Sequence, residues 1–158
     1  MEKKIQLFDD GKKSEGCIVN GLKEGLWTYY SVDSKKEKEI EFKKGIEDGV
    51  FRRWFKNGKL GIESVSINGK TCGTWIEYYE NGQIKEEMIY ENDVLIYAKN
   101  AWDERGKQTL VDGSGFKICK FGSLQLANYK QYFENGKFIR EEKESRMEIK
   151  GFDFPSKD

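Results

Sequence analysis

The sequence predicts an all-β fold: a repeat array of antiparallel β-hairpins, in 24-residue units, forming an elongated, twisted, single-layer sheet. The first observation behind this is the period itself. Trp27, Phe51 and Trp75 stand 24 apart, as do Gly25, Gly49 and Gly73, and Gly21, Gly45 and Gly69. Such a step marks a supersecondary unit that buries its apolar face only against its neighbours. The second observation is a pair of turn signals per unit, which leaves room for two strands of about six residues each. The third is composition. Aromatics reach 14% of a chain that is only 37% hydrophobic and 35% charged, which fits a thin aromatic core under a charged surface and excludes a disordered chain.

Taken in order, the 158 residues form a single domain. Residues 1–19 read as a half unit, with Phe8-Asp9-Asp10-Gly11-Lys12 as a tip followed by its second strand. Four repeats occupy 20–112, with seam turns at Asn20-Gly21, Lys44-Gly45, Asn68-Gly69 and Asn92-Asp93. Their tips are Asp33-Ser34, Asn57-Gly58, Asn81-Gly82 and Arg105-Gly106. Asn-Gly signals a hairpin because both central residues of a type I′ turn need positive φ. The first strands read Leu26-Trp27-Thr28-Tyr29-Tyr30, Val50 to Phe55 and Thr74 to Tyr79; the second read Ile40-Glu41-Phe42, Ile62 to Ile67 and Glu87 to Tyr90. All are rich in β-branched and aromatic residues. In the fourth unit Asp93 and Tyr97 replace glycines, which predicts a distortion there. Residues 113–143 read as a degenerate last repeat in which Asn135-Gly136 is the next tip, 30 residues after the last, and 113–128 is an insertion. The tail covers 144–158, and Glu141 to Lys150 reads equally as a last strand or a short helix.

Side chains alternate between the faces of a strand, so Trp75 and Tyr78, three apart, should point to opposite sides. Trp27, Phe51 and Trp75 then fill the space between neighbouring hairpins. Tyr30, Trp54, Tyr78 and Trp102 form a second column on the same step, and Tyr and Trp on a partly exposed face are residue types that anchor protein interfaces. These four are the candidate protein-binding residues.

Charge and chemistry narrow the function further. Lys and Arg total 28, as do Asp and Glu, so the basic excess of a nucleic-acid binder is missing. The chain has no histidine, which removes Ser-His-Asp and Cys-His catalysis and His-containing zinc sites. Gly69-Lys70-Thr71 imitates the end of a phosphate loop, but Ser64 stands where the pattern requires glycine. Gly113-Ser114-Gly115 has no base to activate its serine and reads as a turn. Glu39, Glu63 and Glu87 recur at the repeat step; a catalytic pair is normally unique, so they read as a surface column. Cys17, Cys72 and Cys119 lack metal or redox spacing and suit reduced thiols, Cys72 and Cys119 as small buried side chains. No cofactor, metal or catalytic residue is expected. With no apolar run of about 18 residues and no secretory leader, the expected location is cytoplasmic.

The phrase Gly-x-Trp-x-x-Tyr-Tyr-x-Asn-Gly at Gly73 to Gly82, with its variant at Gly49 to Gly58 and the linker Asn68 to Gly73, resembles the variant MORN repeat of bacterial proteins. The resemblance covers residues 20–112 well and 113–138 loosely, and it extends to YwqK-like antitoxins of toxin–antitoxin or toxin–immunity systems. It implies hairpin repeats and a non-enzymatic binding role. The expected partner is a protein, possibly a cognate toxin neutralised by direct binding. A scaffold at a membrane or in a protein assembly is the alternative, with balanced charge and no lipid anchor weighing against the membrane.

Overall fold

In the computed structural model, which describes residues 2–121 and 127–143, thirteen strands follow one another in a single sheet whose spatial order is the chain order. They are β1 (Glu2–Leu7), β2 (Lys13–Val19), β3 (Leu22–Tyr30), β4 (Lys36–Lys43), β5 (Ile46–Trp54), β6 (Leu60–Ile67) and β7 (Lys70–Tyr78). The second half comprises β8 (Ile84–Glu91), β9 (Val94–Trp102), β10 (Gln108–Val111), β11 (Ser114–Phe121), β12 (Ala127–Glu134) and β13 (Lys137–Lys143). Every pairing the structure records between them is antiparallel, the sheet is open, and no helix occurs among the described residues. The expected hairpin array is thus the observed architecture. The half unit expected at the N-terminus is a whole hairpin, because β1 pairs with β2 along its full length.

Two turn types alternate along the chain, each for its own physical reason. At the seams, two-residue loops have both residues at positive φ: Asn20 and Gly21 at 51° and 78°, Lys44 and Gly45 at 51° and 82°, Asn68 and Gly69 at 51° and 80°. These are type I′ turns, whose twist matches that of the strands they join. The tips are different. Each spans five residues, and its first N–H donates to the fifth carbonyl, as from Phe55 to Lys59 at 2.9 Å and Tyr79 to Gln83 at 2.8 Å. Only the fourth residue is left-handed, so the Asn57-Gly58 and Asn81-Gly82 tips are not type I′. There the asparagine Oδ1 accepts from the N–H two residues on, Lys59 or Gln83, at 2.9 Å.

Asn135-Gly136 corrects the sequence reading in the opposite direction. With φ of 49° and 72° in a two-residue loop, it is a seam and not a tip. The Gly136 N–H donates to the Gly113 carbonyl and its own carbonyl accepts from the Ala98 N–H, so seam stacks on seam. Of the expected insertion at 113–128, residues 114–121 form β11 and 127–128 open β12. Positions 122–126, the tail at 144–158, and with it the strand-or-helix question beyond Lys143, lie outside the described residues.

The glycines at 25, 49 and 73 have positive φ and sit where three residues of the first strand face one of its predecessor. The fourth unit, with Tyr97 at the corresponding place, admits its two extra residues separately, at Ile96 and Lys99. A tyrosine cannot take the glycine conformation cheaply, so one wide irregularity becomes two ordinary bulges. Asp93, by contrast, simply adopts φ of 68°.

Burial is concentrated on one face. Trp27, Ile40 and Phe42 form one cluster with Ile18, Tyr29 and Phe51 against it. Forty-eight residues on, Trp75 and Tyr90 pack against Met88, Ala98, Ala101, Leu110 and Phe133. Trp27 has the same neighbours in the sheet as Trp75, namely Ile40 for Met88 across the ladder and Phe42 for Tyr90 beside it.

Candidate functional site

Register places the second aromatic column on the face opposite Trp27 and Trp75. Tyr30, Trp54, Tyr78 and Trp102 end strands β3, β5, β7 and β9 and are all half-buried. Beside them runs a cross-strand rank, Glu15–Thr28–Glu39–Arg52–Glu63–Ile76–Glu87–Asn100. The structure therefore joins the recurring glutamates to the aromatic column as one surface. It also adds Glu15, one period before Glu39, which the sequence reading passed over.

The middle of the rank, from Glu39 to Glu63, is an ion-pair ladder. Arg52 Nε donates to Glu63 Oε2 at 2.5 Å and Nη1 approaches Glu39 Oε2 at 3.9 Å, while Lys36 Nζ reaches Glu39 Oε1 at 2.5 Å. Glu39 is buried beneath these partners and so is not a simple surface residue. Asn100 Nδ2 donates to Glu87 at 2.7 Å. Tyr30 Oη donates to Glu15 Oε1 at 2.6 Å; that bond raises the phenol pKa and lowers the carboxyl pKa. Burial raises the pKa of Tyr78, helped by the charges of Glu63 and Glu87.

The four aromatics differ in what covers them. Lys13 Nζ stands 4.4 Å from the Tyr30 ring centroid and Lys36 Nζ 4.9 Å from that of Trp54. The corresponding first residues of β6 and β8 are Leu60 and Ile84, paired with Trp54 and Tyr78. The column thus passes from cation-covered at Tyr30 and Trp54 to an aliphatic neighbour, Ile84, at Tyr78 and to Gln108 at Trp102.

Toward the seams the same face carries aliphatic side chains left to solvent: Leu22 at 48% exposure, Ile46 at 52%, Ile67 at 51% and Val94 at 61%. Leu22, Ile46 and Val94 fall on the 24-residue step, interrupted by Lys70, a signal available in the sequence that the aromatic period masked. Of the thiols, Cys119 is half-buried, its pKa raised by burial, with Sγ 3.4 Å from Gln131 Oε1. Among the described residues no cluster of three or more acidic or thiol groups is placed to hold a metal ion.

A sheet filled on one face, patterned on the other and built from repeated hairpins defines the class of β-hairpin repeat arrays. Within it, residues 71–92 match the family model of the MORN repeat variant. The matched stretch holds β7, the Asn81-Gly82 tip and β8, one hairpin of a series that recurs on either side of it. Such repeats generally serve as protein- or membrane-binding modules. No curated protein matches the chain at a significant level.

Proposed function

We propose that this chain is a non-enzymatic, cytoplasmic protein-binding module, an antitoxin or immunity protein that neutralises a cognate toxin by covering it. The observation that carries this reading is the face bearing Tyr30, Trp54, Tyr78 and Trp102. It combines aromatic anchors, exposed aliphatics and a rank of charges fixed by their neighbours. Rigid aromatics in a partly desolvated setting concentrate binding energy, and fixed charges select the partner. Tyr78, paired with Ile84, and Trp102, paired with Gln108, are the anchors expected to matter most.

The test is co-expression with the product of the adjacent gene. Growth arrest by that product should be relieved by this chain, and relief should be lost with Tyr78→Ala or Trp102→Ala, each weakening binding about 30-fold. Absence of toxicity together with co-sedimentation on lipid vesicles would instead favour the membrane scaffold.

A further inference from the structure

Five Asn-Gly pairs punctuate the chain: Asn20-Gly21, Asn57-Gly58, Asn68-Gly69, Asn81-Gly82 and Asn135-Gly136. Asparagine before glycine can lose its amide, because the glycine nitrogen attacks the asparagine Cγ and closes an imide ring. Glycine permits this, having no side chain to shield its nitrogen or restrict its backbone. The attack needs a nitrogen free of other bonds and an asparagine side chain free to swing onto it.

Four of the pairs are held back. At the tips, the Gly58 N–H donates to the Phe55 carbonyl at 2.9 Å and the Gly82 N–H to the Tyr79 carbonyl at 2.8 Å. Asn57 and Asn81 are pinned as well, each Oδ1 accepting from a backbone N–H two residues on. At the seams the glycine donates to the preceding unit. The Gly69 N–H reaches the Glu47 carbonyl at 2.7 Å and the Gly136 N–H the Gly113 carbonyl at 3.0 Å. Gly45, in the Lys44-Gly45 seam, does the same to the Lys23 carbonyl at 2.8 Å.

Asn20-Gly21 has the same loop conformation, with φ of 51° and 78°, but not the same protection. Neither the Gly21 N–H nor the Asn20 side chain has a hydrogen-bond partner among the described residues. Both residues are exposed. A Cβ on Gly21 would meet nothing within 4 Å, whereas one on Gly69 would lie 3.6 Å from Ile46 and one on Gly136 would collide with the Tyr97 ring.

We propose that Asn20-Gly21 is a site of spontaneous deamidation, left open by a fold that protects the other four pairs. The Gly21 nitrogen gives up its proton and bonds to Asn20 Cγ, and the Cγ–Nδ2 bond breaks to release ammonia. Water then opens the imide at either carbonyl, leaving aspartate or isoaspartate. One water is consumed and one ammonia leaves, with no change of oxidation state. The new carboxylate is ionised at neutral pH and adds a negative charge to a chain whose formal net charge is zero. The isoaspartyl product also inserts a backbone methylene into the two-residue loop that sets the Val19–Leu22 pairing, and a type I′ turn has no place for it.

The test follows the full chain in mildly alkaline buffer over days, with peptide mass spectrometry reading amide loss at all five pairs. Loss at Asn20 should run at least about fivefold faster than at any other pair, a factor that the net strength of one hydrogen bond supports. In guanidinium, where those bonds are gone, the five rates should converge. Asn20→Asp should remove the first acidic species seen on anion exchange and leave the other four rates unchanged. The isolated isoaspartyl form should exchange its Val19 and Leu22 amides faster than the parent, with β7 and β8 unaltered. Equal rates in the folded chain, a faster rate at Asn57, Asn68, Asn81 or Asn135, or the same ranking in guanidinium would each overturn the assignment.

Discussion

Trp27 anchors the N-terminal half of the sheet. It is 1% exposed, its Nε1 donates to the Cys17 carbonyl at 3.0 Å, and its ring lies where any side chain on Gly16 would have to go. Trp27→Ala should therefore cost about 3–5 kcal/mol in urea unfolding, the range for an emptied aromatic site. Ser14 behaves oppositely: its Oγ is fully buried with no hydrogen-bond partner among the described residues, so Ser14→Ala should be neutral or stabilising by up to about 1 kcal/mol. Tyr79 offers a pH readout. Burial, with the charges of Glu104 and Asp103, pushes its phenol up to about 12, while Oη donates to the Trp102 carbonyl at 2.8 Å. Between the unfolded value of about 10 and the folded one, the unfolded chain binds fewer protons, so stability is present below pH 10 and falls as pH rises toward 12. Alkaline difference absorbance should show a late-titrating tyrosine that Tyr79→Phe removes.

At the scale of the hairpin, stability depends on matching residue to backbone conformation. The fourth position of four tips is Gly11, Gly58, Gly82 or Gly106, but the second tip has Ser34 at φ 59°. A side chain in that region costs roughly 1–2 kcal/mol, so Ser34→Gly should stabilise the chain by about 0.5–1 kcal/mol after the added unfolded-state entropy. The bulge glycines differ among themselves. An alanine at Gly73 would meet open space, whereas at Gly49 it would collide with the Glu41 carboxylate, at φ 129°. That carboxylate also accepts from the Val50 N–H at 3.1 Å. Gly49→Ala should accordingly lower the thermal midpoint more than Gly73→Ala, and equal shifts would contradict the bulge assignment.

Over the whole molecule, each hairpin contacts mainly its sequence neighbours, the design of a quasi-one-dimensional array. The ends are not equivalent. All of β1 is exposed, while β8 to β10 hold Met88, Ala98, Ala101 and Leu110. There Lys117 of β11 reaches Glu86 of β8 at 3.2 Å; burial opposes the charged lysine, but Glu86, Cys119 and Tyr90 together outweigh it and its pKa is raised. Native-state hydrogen exchange should therefore show β1 amides opening far more readily than those of β8 and β9. Uniform protection across the sheet would argue against neighbour-limited stability.

The period of Trp27, Phe51 and Trp75 was enough to specify hairpins, their order and the opposite facing of Tyr78, because side-chain alternation and turn chemistry are local rules. Glu39 and Tyr30 could be seen to recur, but not to share a face with Glu15 and Arg52, since bulges displace the register by residues that no spacing reveals. The identity of Asn135-Gly136 as a seam was likewise settled by packing, where its backbone lies on Gly113 and Ala98. The linear sequence thus determined which elements form and in what succession, whereas the folded sheet decided which charges and rings meet, because those encounters depend on accumulated register between distant strands.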